Sequence, residues 1–102
     1  MILWVDDVRR PPESFIPAYI WLRTVADVKS LIETVEARCS NKIELLDLDH
    51  DAGDFGPPDY IAILDWLEET GRNYPIRIHS MNPVGVENMR RIIQRNGWTE
   101  VR

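Results

Sequence analysis

The chain is poor in the features that would place it outside a cell, in a membrane or along a nucleic acid. It has one cysteine, Cys39, so no internal disulfide can form, and a reducing, cytoplasmic setting is the expected one. No apolar run approaches the ~18 residues of a membrane span, and no basic stretch leads into an apolar signal region, so no membrane partner is expected. Positive charge is scarce. Twelve Lys+Arg face seventeen Asp+Glu, giving -5 and a pI near 4.9, which argues against the broad basic footprint that duplex DNA requires. Lysine itself is nearly missing: ten of the twelve are Arg, whose planar fork suits phosphate or carboxylate. No repeat, low-complexity tract or linker interrupts the 102 residues, so a single domain over 1–102 is expected. Apolar residues at 44% and charged residues at 28% are ordinary globular usage, enough for a core without disulfides.

The pattern along the chain alternates. Short apolar runs at Met1 to Val5, Tyr19 to Leu22, Ile43 to Asp49, Ile76 to His79 and Trp98 to Val101 read as strands. Apolar residues at helical spacing predict helices over Val25 to Cys39, Pro58 to Thr70 and Val84 to Asn96. Thr24 with Asp27 opens the first as a cap with an acidic partner, and Ser40-Asn41 should end it. Pro58 suits the first turn of the second, and Asn82-Pro83 caps the third, which Gly97 closes. Pro11, Pro12 and Pro17 forbid a long helix between the first two strands. Strands alternating with helices predict a parallel sheet covered on both faces.

Ligands of such sheets bind beyond the carboxyl ends of the strands. Three strands here end in reactive side chains: Asp6-Asp7, then Asp49-His50-Asp51, then His79-Ser80. Asp47, Asp49, Asp51, Asp54 and Asp59 fall within thirteen positions, and carboxylates about 4 Å apart repel by ~4 kcal/mol at an effective dielectric near 20. Such a cluster calls for a cation, a bound proton or open water, and hard oxygen ligands suit Mg²⁺ or Mn²⁺. Both histidines, His50 and His79, stand at strand ends, where imidazole can serve as acid or base near neutral pH. Arg9 and Arg10 could clamp a phosphate. Trp4, Trp21, Trp66 and Trp98 read as packing residues, since no basic groove accompanies them.

The apolar strand ending in Asp6-Asp7, the aspartate closing the third strand, and Pro75 to Ser80 resemble the receiver domains of two-component response regulators. That resemblance implies a three-layer, flavodoxin-like, five-stranded parallel sheet in the order 2-1-3-4-5. It implies Mg²⁺ held by Asp6 and Asp7, Asp49 as phosphoacceptor, a metal contact at Asp51, and Ser80 as the switching hydroxyl. Two features depart from it: the last strand has no lysine, and the first helix is reduced to a Pro-rich crossover, with no residues left for a fifth helix.

A closer resemblance covers nearly the whole chain. Asp6-Asp7-Val8-Arg9 with Pro11 and Pro12, then Leu48-Asp49-His50-Asp51-Ala52-Gly53, then His79-Ser80-Met81-Asn82-Pro83, is similar to the cyclic-phosphate processing receiver domains. Asp47 adds an acid two residues before Asp49, in a position to alter the pocket. Asp47-Leu48-Asp49 is also similar to the haloacid-dehalogenase phosphatase motif, which belongs on an early strand of a larger domain. The reading that follows is a metal-assisted phosphoesterase acting on a cyclic phosphate, of a nucleotide or an RNA end. Metal ligands would be Asp6, Asp7, Asp49 and Asp51, catalytic groups His79, His50 and Asp49, and phosphate contacts Arg9, Arg10 and Ser80. The alternatives are a non-catalytic binding module with a protein partner, and an atypical receiver phosphorylated on Asp49. Replacing His79 should leave stability nearly unchanged if the aspartates alone hold the ion.

Overall fold

The structure is a computed structural model and describes residues 1–14, 16–38 and 42–102; Cys39 and the expected helix end at Ser40-Asn41 lie outside the described residues. Strands β1 (Ile2–Val5), β2 (Tyr19–Leu22), β3 (Leu45–Leu48) and β4 (Ile76–Ile78) form one sheet in the order β2-β1-β3-β4. All three pairings are parallel, and Trp4 lies opposite Trp21 on one side and Asp47 on the other. Of the two central strands, β1 is a buried apolar run, as a parallel sheet demands, and β3 is one broken by the buried Asp47.

Among the described residues the sheet has four strands, where five were expected. Trp98 to Val101 does reach the β4 edge, but it pairs there at one position, Ile76 with Glu100. Two hydrogen bonds carry it, Ile76 N to Thr99 O (3.0 Å) and Val101 N to Ile76 O (2.8 Å). Thr99, Val101 and Arg102 are exposed, so extending the ladder would bury no side chain to reward it.

Three helices follow β2, β3 and β4: α1 (Val25–Ala37), α2 (Ile61–Glu69) and α3 (Pro83–Asn96). Thr24 Oγ1 accepts from Asp27 N at 3.0 Å, and Asn82 Oδ1 accepts from Gly85 N at 3.0 Å, each supplying an otherwise unmet donor at a helix start. Gly97, at φ 66°, ends α3 in the left-handed conformation. Pro58 does not sit in the first turn of α2. The chain before that helix is held by other bonds, Ala52 N to Asp59 Oδ1 (3.0 Å) and Tyr60 N to His50 O (2.9 Å), and helix begins only at Ile61.

Side chains alternate across a strand, and here the alternation separates two unlike faces. Leu3, Val5, Leu46, Leu48 and Ile76 share one continuous core with Val28 and Ile32 of α1, Ile63 and Leu67 of α2, and Met89 and Ile93 of α3. Each such buried aliphatic contributes about 1.5–3 kcal/mol. Ile2, Trp4 and Asp47 are buried too, yet stand outside that core and on the opposite face. The sheet is covered on both faces as expected, but among the described residues the three α-helices share the core of one face, where a three-layer arrangement was expected. The crossover covers the second face: Trp4 Nε1 donates to Arg9 O at 2.8 Å, and Trp21 Nε1 donates to Asp6 O at 2.8 Å. With three prolines in it, that segment forms no helix among its described residues.

Candidate functional site

Parallel strands finish on one side, and the residues that leave β1, β3 and β4 meet there. Asp6, Asp7 and Asp49 each offer a carboxylate oxygen, all within 4.8 Å of one another. Asp6 has no exposed surface and Asp49 is buried, whereas Asp7 is half-buried. Asp6 Oδ1 accepts from the amides of Val8 (2.9 Å) and Arg9 (2.8 Å), which bend the chain out of β1. Asp49 Oδ1 accepts from His50 N at 2.8 Å.

The environments of the two neighbouring aspartates push them apart. Burial alone would raise Asp6; the Arg9 and Val8 amides and the His79 ring outweigh it and hold the carboxyl below its ordinary range. Asp7 is raised, first by burial and then by the charges of Asp6 and Asp49. Gly53 lets Asp7 sit where it does. At φ 54° it adopts a backbone that side chains resist, and a Cβ there would come within 2.3 Å of Asp7 Oδ2.

His79 lies between two buried carboxylates. Its Nδ1 is 2.7 Å from Asp47 Oδ1 and its Nε2 is 2.9 Å from Asp6 Oδ2. Each ring nitrogen is thus within hydrogen-bond reach of a buried carboxylate oxygen, and the ring is fixed at both nitrogens. The Trp4 indole stacks on it at 3.9 Å with planes 4° apart. The geometry argues against the expectation that replacing His79 is nearly free, because the ring is a hydrogen-bond partner of two buried carboxylates.

Sequence reasoning noted Asp47 and assigned it no partner. It is 1% exposed in the middle of β3, and an acid inside an apolar central strand, on the same face as Asp49, is the signal that it must find a cation. Trp4, taken for plain packing, is the ring's platform.

The remaining candidates are distributed around this centre. The carboxylate of Asp51 is grouped with His50 and Asp59 rather than with Asp6, Asp7 and Asp49. It takes His50 Nδ1 at 2.7 Å and Asn82 Nδ2 at 3.2 Å, and the His50 bond leads in lowering its pKa. His50 packs against the first turn of α3, where a Cβ on Gly85 would meet its Cγ at 2.4 Å. Arg9 Nη1 donates to His79 O at 3.0 Å, and Ser80 Oγ accepts from Asn82 N at 3.1 Å. Arg10 is exposed and lines a cavity beside β2.

Chemically, the centre offers three clustered hard-oxygen donors beside an imidazole ring fixed at both nitrogens. The sequence model of the cyclic-phosphate processing receiver domain family matches residues 1–95. Among curated proteins and among solved structures, nothing matches the chain. The chain belongs to the cyclic-phosphate processing receiver domain family.

Proposed function

We propose that this member of the cyclic-phosphate processing receiver family is a metal-assisted phosphoesterase that opens the cyclic phosphate of a nucleotide or an RNA end. The observation that carries the reading is the line Asp47–His79–Asp6 running into the cluster of Asp7 and Asp49. A buried acid on one ring nitrogen fixes the imidazole so that the other nitrogen serves the reacting centre, the logic of an oriented acid–base histidine.

Asp6, Asp7 and Asp49 fit Mg²⁺ or Mn²⁺. They are three hard donors, and the crowding that raises Asp7 is the kind a cation relieves. Asp51 has only its main-chain carbonyl to offer there, its carboxylate being engaged with His50 and Asn82. Such an ion, when bound, polarises phosphoryl oxygens and stabilises the charge that builds on them. The chain's own groups do the rest. His79 holds a proton on Nε2 at the edge of the cluster. Water adds to phosphorus and loses a proton to the carboxylate of Asp49, the member of the cluster that follows β3. One ring P–O bond breaks, and the departing oxygen takes the Nε2 proton, leaving a phosphomonoester and a free hydroxyl. Arg9, already bonded to the His79 carbonyl, and Ser80 stand ready for the phosphoryl oxygens. His50 orients Asp51 and the start of α3.

The test is turnover of 2′,3′-cyclic and 3′,5′-cyclic phosphates by the purified protein with Mg²⁺ or Mn²⁺. We expect ring opening that needs the metal and falls at least about a hundredfold in His79→Gln and in Asp49→Asn. No turnover of any cyclic phosphate by a protein that binds metal would reject the enzyme. A binding module would then take its place, a reading favoured by Val8, Met81 and Val84, apolar side chains 73%, 81% and 71% exposed near the strand ends.

A further inference from the structure

Three of the four tryptophans are accounted for by packing. Trp4 stacks on His79, Trp66 lies beneath Arg72 at 4.3 Å, and Trp98 packs on the core. Trp21 is different. It is half-buried on edge strand β2, with the Arg23 guanidinium 4.1 Å from its ring centre, and it lines an open cavity of about 710 Å³ on the helix-free face. Tyr19, Pro11 and Pro12 supply further flat apolar wall, and Arg10, Glu13 and Ser14 supply polar groups. The volume falls within the roughly 300–1,000 Å³ of small-molecule sites.

The walls of this cavity are bonded to residues that adjoin the acid cluster. Trp21 Nε1 donates to the main-chain oxygen of Asp6 at 2.8 Å. Tyr19 meets the edge of Trp4 at 6.2 Å between ring centres, and the same indole stacks on His79. Arg10, in the wall, follows Arg9, whose side chain is bonded to the His79 carbonyl. A ligand with its phosphate among Arg9, His79 and the aspartates would extend toward Trp21. The walls suit a flat ring with polar edges: aromatic faces to stack on, and an arginine, a glutamate and a serine to meet donors and acceptors.

We infer that the cavity receives the nucleobase of the substrate, so that the substrate class is a nucleoside cyclic phosphate, free or at an RNA terminus, and not a base-free cyclic phosphate. The inference rests on the phosphoesterase reading above for the position of the phosphate.

The experiment compares the binding of adenosine 2′,3′-cyclic phosphate, a base-free glycerol cyclic phosphate and adenosine, by amide-shift titration of the Mg²⁺-supplied protein. We expect the nucleotide to bind tighter than the base-free ester, and Trp21→Ala to weaken the nucleotide by roughly five- to a hundredfold, the range of a lost stacking contact, while leaving the base-free ester unchanged. Trp21→Phe keeps a stacking face and loses only the indole N–H, so it should retain most of the nucleotide affinity. Equal affinity for the nucleotide and the base-free ester overturns the cavity and leaves the phosphoesterase reading standing. Adenosine binding that needs Trp21, with no contribution from the phosphate, keeps the cavity and rejects the phosphoesterase reading.

Discussion

Removing the His79 ring is the sharpest perturbation this structure offers. In His79→Ala, Asp6 and Asp47, 0% and 1% exposed, lose the ring whose nitrogens lie 2.9 and 2.7 Å from their oxygens. Breaking a buried ion pair by deleting one partner costs about 3–5 kcal/mol, because a charge is left without compensation. Loss of the stack on Trp4 adds about 0.5–1.5 kcal/mol. We expect about 4 kcal/mol in all, a large share of the ~5–15 kcal/mol that holds a small domain together. The pH dependence has a definite sign. In the wild type, Asp6 is held below its ordinary value of 3.8, so its contribution is complete above that value and is lost as acid protonates it. In the variant, Asp6 loses the ring that helps to hold it down while burial still raises it, so it binds a proton more readily. The deficit should therefore shrink as pH falls from 7 toward 4. Urea unfolding followed by circular dichroism at several pH values measures this directly. A loss under about 1 kcal/mol at pH 7 with an unchanged slope would refute the buried-triad argument.

Three further outcomes follow from the same geometry. Asp7→Asn should stabilise the metal-free protein at neutral pH, since burial and the charges of Asp6 and Asp49 hold the Asp7 pKa above 3.8; the gain should vanish below that value, where both states are protonated. Thermal unfolding with and without metal checks it, and the variant should also lose the stabilisation that metal gives. Gly85→Ala should cost about 1–3 kcal/mol by forcing the His50 ring away from α3, while an alanine at exposed Gly71, where a Cβ meets nothing within 4 Å, costs strain alone at φ 68°. Acyl-phosphate analogues such as beryllofluoride should not produce an amide-shift change that spreads from Asp49 to Trp98, because no lysine couples the last segment to the acid cluster.

Much of this architecture was legible locally. Thr24, Asn82-Pro83 and Gly97 announce helix ends through backbone chemistry within a few residues, and the structure places its caps there. The apolar run Tyr19–Leu22 is the strand it reads as. Asp6, Asp7 and Asp49 converge because parallel strands must end on one side. What was not legible depends on distance and on what covers a surface. The bond between Asp47 and His79 spans 32 positions, and no local pattern pairs them. The last strand has the right composition, yet its length is set by what it can bury against Ile76 and β4. The helix-free face, and the cavity beside Trp21, exist because the crossover packs under the sheet, a tertiary fact that three prolines permit and do not specify.

The central claim is that Asp6, Asp7 and Asp49 form a divalent-cation centre, and calorimetric titration of Mg²⁺ or Mn²⁺ into the protein tests it most directly. The account predicts saturable binding of one ion by the wild type, lost or greatly weakened in Asp49→Asn, with Asp51→Asn close to wild type. Wild type and Asp49→Asn giving the same titration would contradict it.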